Sequence, residues 1–157
     1  MTELLVFTFK EGLLSRVAHD LKLAAMQVRI LLDADRVEVW VAADSLRVRC
    51  AMKNGREDHR ALSASNRREI ETIICEQILH AHRHPTIHYS GVIRGDSVVG
   101  MLTLCGVSQS VVLPWRSGHG EITLDQRLFG ITPYRAMMGA LKLKPELKVA
   151  WRVQTSA

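Results

Sequence analysis

Aromatic side chains are scarce in this sequence, 5% of 157 residues, and cysteine occurs only three times. The shortage of aromatics removes the stacking platforms on which single-stranded nucleic acids are bound. Lys and Arg give a formal net charge of +5, but they are scattered rather than gathered into a basic run, so no nucleic-acid partner is expected. Cys50, Cys75 and Cys105 are odd in number, widely spaced and free of CxxC pairs. That excludes a disulfide framework and implies reduced, mostly buried thiols with no cysteine metal site. Long apolar runs are missing as well. Stretches such as Leu4-Leu5-Val6-Phe7 fall well short of the ~20 residues that cross a bilayer as a helix. Glu3 and Lys10-Glu11 break the basic-then-apolar pattern of a secretory leader, and a cytoplasmic location is expected.

Catalytic signatures are equally sparse. No GxSxG elbow, GxGxxG, phosphate loop or HExxH occurs, so nucleophilic, cofactor and zinc-hydrolase chemistry have no local support and no cofactor is expected. Glu57-Asp58 and Glu69 to Glu71 lie in polar stretches and read as solvated faces.

What the sequence does have is alternation. Val37-Glu38-Val39-Trp40-Val41, Leu46 to Cys50, Ile87-His88-Tyr89, Ile122-Thr123-Leu124 and Leu147 to Val153 are apolar at every second position, the pattern of strands with one buried face. Turn signals separate them at Asp33 to Asp35, Gly95-Asp96, Ser117 to Gly120 and Lys144-Pro145. In the segment Ser15 to Leu32 the parity changes: Val17, His19, Leu21 and Leu23 share one phase, Met26, Val28, Ile30 and Leu32 the other. A bulge or turn near Ala24-Ala25 reconciles them. Val98 to Leu104 is apolar on both faces, as in a strand covered from two sides. Lys53 to Leu62 is polar and reads as a loop.

One stretch has helical period. Ile70, Ile73, Ile74 and Ile78 form a single apolar stripe, Ser65 or Asn66 offers a cap, and Pro85 ends the element. The expected architecture over residues 1–157 is therefore one all-β domain, an antiparallel barrel of about eight strands with one amphipathic helix covering it. A barrel of that size is either filled by side chains or encloses one ligand.

The order Pro85-Thr86-Ile87-His88-Tyr89, then Gly100-Met101-Leu102-Thr103-Leu104-Cys105-Gly106-Val107-Ser108, then Val111-Val112-Leu113 resembles the central signature of the YceI-like proteins. Phe129-Gly130-Ile131 is similar to a later motif of that family. The resemblance implies a lipocalin-like barrel whose apolar interior holds a polyisoprenoid or another long-chain lipid, in a carrier or storage role without catalysis. The inward, in-phase candidates for such a ligand are His19, Leu21, Leu23, Val39, Val41, Leu46, Val48, Ile87, Tyr89, Leu102, Leu104, Val149, Trp151 and Val153. Tyr89 and Trp151 add a polar atom that could meet a head group, and Lys or Arg at the mouth could attract an acidic one or a membrane surface. Homodimers are compatible with the sequence.

Two other readings stay open. A filled barrel would act as an interaction or structural module, with an exposed apolar patch and no cavity. An enzyme would use His19, and needs an acid or nucleophile within hydrogen-bond reach of its ring. Asp20 points the opposite way in a strand and is not that partner. The run His80-Ala81-His82-Arg83-His84-Pro85-Thr86-Ile87-His88 is rich in ligand-type side chains, but it falls at a helix-to-strand junction without acidic or cysteine partners, so no metal is assigned to it. Met137-Met138 near Tyr134 read as adaptable packing at a cavity mouth, in a tail that forms a lid or a short helix.

Overall fold

The computed structural model describes residues 2–11, 19–136 and 141–154. Val17, Met137 and Met138 lie outside them. Among the described residues twelve antiparallel strands form two sheets. The seven-stranded sheet runs β10 (His119–Asp125), β12 (Leu141–Arg152), β1 (Glu3–Lys10), β2 (Asp20–Ala25), β5 (Leu46–Lys53), β6 (Arg56–Asp58), with β11 (Arg135–Ala136) paired to β12. The five-stranded sheet runs β3 (Val28–Asp33), β4 (Arg36–Ala42), β7 (Thr86–Arg94), β8 (Ser97–Leu104), β9 (Val107–Pro114). The all-β expectation holds. The strands form two sheets that are not closed into one barrel by hydrogen bonds, since no ladder joins β9 to β10 or β3 to β6 among the described residues.

The parity change in the second segment marks the place where the chain changes sheet. β2 ends at Ala25 and β3 begins at Val28 in the opposite sheet, and beside it β4 crosses back into β5 through a short 3-10 turn, Ala43–Ser45. The two crossings are tied together. Met26 N–H donates to the Ser45 carbonyl at 3.0 Å, Ala42 N–H to the Gln27 carbonyl at 3.0 Å, and Gln27 N–H to Ser45 Oγ at 3.1 Å. The buried Ser45 therefore supplies the hydrogen bonds that a sheet corner would otherwise leave unmade.

Several local expectations are corrected. Lys53 to Leu62 is partly a hairpin: Asn54 and Gly55 take φ 52 and 75, a type I′ pair that joins β5 to β6. Both faces of β6 are polar, which hid its period. Lys144-Pro145 lies within β12 rather than in a turn. There the pairing with β1 jumps from Thr8↔Leu147 to Lys10↔Leu143, and a bulge accommodates a residue that cannot donate to the ladder. β11 pairs Arg135 with Lys142 and Ala136 with Leu141, so the described part of the tail is a hairpin strand and not a helix. β8 is covered on one side only: Val98 is fully buried whereas Val99 and Met101 are 49% and 44% exposed.

The helix α1 (Ala64–Ile73) starts one turn earlier than the apolar stripe suggests. Ser63 is its N-cap, accepting from the Asn66 amide at 3.0 Å while the Asn66 side chain accepts from Ser63 N–H at 3.1 Å, a reciprocal capping box. Beyond Ile73 the last turn, Ile74–Ile78, widens to i→i+5 bonding, with Leu79 N–H donating to the Ile74 carbonyl at 2.8 Å. His80, at φ 47, ends the helix in the left-handed conformation, five residues before Pro85. Glu71 is no solvated side chain: its carboxylate accepts the Val48 amide at 2.8 Å, pinning the helix to β5 near the bulge that follows Lys22. No helix among the described residues is long and apolar enough to cross a membrane.

Candidate ligand cavity

Between the sheets, under the helix, lies a cavity of about 760 Å³, within the ~300–1,000 Å³ common for ligand pockets. Alternation builds its walls. On one side β4 contributes Val37, Val39 and Val41, β7 Ile87 and Tyr89, and β8 Val98, Leu102 and Leu104. Facing them are Leu4 and Val6 of β1, Leu21 and Leu23 of β2, and Leu147, Val149 and Trp151 of β12. The isoleucine stripe closes the side: Ile70, Ile73, Ile74 and Ile78 all line the space. The filled-barrel reading called for no cavity, and this one is open; its other mark, exposed apolar side chains, is present at Val99, Met101 and Val112.

The structure brings His19, Leu21, Leu23, Val39, Val41, Leu46, Ile87, Tyr89, Leu102, Leu104, Val149, Trp151 and Val153 to this one cavity. Val48 is the exception. It is buried in one cluster with Leu21 and Leu23, against which Ile70 and Ile74 of the helix pack, and it does not reach the open space. Ile122 and Leu124 of β10 also line the cavity. Their alternation was legible, but the side they face depends on the pairing with β12, Ile122↔Val149 and Leu124↔Leu147. Val28 and Ile30 of β3 line it too, reached only after the sheet change.

The polar groups of the wall are few. Tyr89 does not offer its phenol to a ligand: the hydroxyl donates to the Val111 carbonyl at 2.8 Å and the Val98 carbonyl at 3.2 Å, and burial pushes its pKa up to about 12. Thr8 Oγ1 and Trp151 Nε1 are buried without a hydrogen-bond partner among the described residues, each a cost that folding bears elsewhere. His19 lines the cavity half-buried and makes no hydrogen bond among the described residues. Asp20 is turned to the Lys10 amide at 2.8 Å, so no His–Asp pair forms. No Lys or Arg lines the cavity among the described residues, whereas Glu3 and Glu69 do, against the expectation of cations that attract an acidic head group.

The histidine run spreads rather than converges. His80 and His82 are exposed, and the His84 ring packs over Gly106, where an added Cβ would lie 3.0 Å from Cε1. His88 faces outward on β7, with Nε2 2.6 Å from Glu38 Oε2 and its ring stacked on Trp40 at 5.5 Å.

No family model and no curated protein sequence matches this chain. Among solved structures it is similar to a polyisoprenoid binding domain from Saccharophagus degradans implicated in plant cell wall breakdown, with a TM-score of 0.62 and 8% identity over 96% of this chain and 90% of that one. At that identity the likeness is one of fold: the strands, the sheets and the helix of this chain are arranged as in that binding domain.

Proposed function

We propose that this chain is a YceI-like carrier that binds a polyisoprenoid or another long-chain apolar lipid between its two sheets, without catalysis. The observation that carries the reading is the open cavity of about 760 Å³, walled by aliphatic side chains from both sheets and the helix. Each buried methylene contributes ~0.8 kcal/mol, so an aliphatic chain gains affinity along its whole length without a polar anchor. The absence of Lys and Arg from the described lining favours a neutral head group over a phosphate. The lipid-binding property of the structural neighbour agrees with this reading.

Native mass spectrometry of protein purified without denaturant, followed by organic extraction, tests it. A co-purifying prenyl or acyl lipid, or stoichiometric uptake of an added long-chain isoprenoid alcohol, is the expected result. A clean apo mass with no uptake overturns it. Leu102→Trp, which fills the cavity from β8, is expected to keep the fold and lower uptake at least tenfold.

A further inference from the structure

On the outer face of the seven-stranded sheet, away from the cavity, the β5–β6 hairpin gathers a second set of functional side chains. Its turn fixes the register Lys53↔Arg56, Met52↔Glu57 and Ala51↔Asp58. Period two then puts Cys50, Met52, Glu57 and His59 on one face. Cys50 Sγ, a Glu57 carboxylate oxygen and a His59 ring nitrogen lie within 4.8 Å of one another, the one such His/Cys/Asp/Glu group among the described residues. Cys50 is 2% exposed and forms a floor. The Glu57 and His59 side chains, 44% and 64% exposed, stand above it.

The surroundings orient these donors. Lys22 lies opposite Cys50 on β2, and its Nζ donates to Glu57 Oε1 at 2.6 Å. Glu57 Oε2 is left to His59 Nε2, 2.9 Å away. A cysteine sulfur ligates a cation as thiolate, so binding at Cys50 releases its thiol proton. Sulfur, imidazole and carboxylate together are the donor set of zinc and its borderline-soft neighbours, and three protein ligands leave a fourth position for water. The Lys22 contact to Glu57 has the form of the outer interactions that orient metal ligands.

We propose that Cys50, Glu57 and His59 form a mononuclear site for a zinc-class divalent cation. Bonds form from Sγ, from Glu57 Oε2 and from the His59 ring nitrogen. The thiol proton leaves to solvent, the Glu57–His59 hydrogen bond is given up as the His59 ring proton moves to the nitrogen that does not bind the metal, and Lys22 stays on Oε1. Zinc bond lengths of ~2.0–2.3 Å place tetrahedral ligand atoms ~3.3–3.7 Å apart, so the donors close by no more than about 1.5 Å where they are far apart, and Glu57 Oε2 and His59 Nε2, at 2.9 Å, open slightly, movements the exposed Glu57 and His59 side chains can supply. The sequence hid this site because its three donors are spaced Cys-x6-Glu-x-His across a hairpin that reads as a polar loop.

Cobalt(II) titration of the chelator-stripped full chain tests the proposal. One equivalent is expected to bring a thiolate-to-cobalt charge-transfer band and the intense visible bands of a tetrahedral ion, both erased by added zinc. C50S is expected to abolish the charge-transfer band, H59A and E57Q to weaken cobalt affinity at least tenfold, and the C75S/C105S double variant to keep the spectrum. Should C50S fail to fold, H59A, altered at an exposed side chain, carries the same test. No charge-transfer band in the folded protein, a band that survives C50S, a band lost in C75S/C105S, or unchanged affinity in H59A overturns it.

Discussion

The two faces of the five-stranded sheet are made from alternate residues of the same strands, yet they are held together by different physics. Inside, Val37, Val39 and Val41 of β4 and Ile87 and Tyr89 of β7 build a wall whose one hydrogen-bonding group, the Tyr89 hydroxyl, is spent on backbone carbonyls. Outside, one residue away in each case, Glu38 accepts from Ser90 Oγ at 2.7 Å, meets His88 at 2.6 Å and pairs with Arg36 at 3.1 Å. Beside them Arg29 lies over Trp40 at 4.3 Å. The inner face depends on volume and dryness, so it tolerates little change of size or charge. The outer face depends on pairing in water, where each contact is worth little and follows pH. A strand of period two can thus carry a ligand cavity and a solvent-facing polar network with almost independent energetics.

The largest effect should come from exchanging the two faces at adjacent positions of β8. Val98→Asp buries a carboxylate with no partner where exposure is 0% and is expected to cost about 4 kcal/mol or more. Val99→Asp, one residue on and 49% exposed, should stay within about 0.5 kcal/mol. Urea denaturation of both variants checks the pair, and equal damage would mean that the outer face is covered in solution.

Next comes the glycine contact between β7 and β8. Gly91 and Gly100 are register partners, and a Cβ on Gly100 would lie 2.6 Å from the Gly91 Cα. Since backbone cannot swing aside as a side chain can, Gly100→Ala should cost about 1–3 kcal/mol in the same assay.

Tyr89→Phe should cost about 1–2 kcal/mol by leaving two buried carbonyls short of a donor. It also has a pH signature. The Tyr89 pKa is raised to about 12 by burial, against ~10 in the unfolded chain. Its contribution is therefore complete below pH ~10 and is lost as pH rises towards 12. Alkaline denaturation curves of the wild type should fall over that window more steeply than those of the variant.

The smallest effect belongs to Glu38→Gln, no more than about 1 kcal/mol at pH 7. Hydrogen bonds from Ser90 and then His88 hold the Glu38 carboxyl below its ordinary value. The stabilisation is present above the unfolded pKa of ~4.3 and is lost as pH falls through the lower folded value. Between pH 7 and 3 the variant should lose less stability than the wild type, and an identical acid limb in both would remove Glu38 from the account.

These contrasts also explain what the sequence could reveal. Period two marked β4, β5, β7, β10 and β12, and the parity change after Leu23 located the change of sheet. The isoleucine stripe announced a helix with one apolar face. What it could not announce is what that face covers: Ile70 and Ile74 pack against the cluster that holds Val48 and themselves become cavity wall. β8 misled because Val99 and Met101 are apolar yet exposed. The Cys50, Glu57 and His59 cluster stayed hidden because a hairpin with two polar faces has no hydrophobic period to read.

One pairing has a consequence in time. β1 lies between β2 and β12, with Glu3 opposite Arg152 and Val6 opposite Val149, so it receives one of its two neighbours from a strand made much later. During synthesis, the seven-stranded sheet cannot be completed until residues near 150 have left the ribosome. Until then β1 presents an unpaired edge, the kind of surface on which chains associate wrongly. Contacts so distant in sequence form late and slowly, so closing β1 against β12 should be among the last steps by which this sheet assembles.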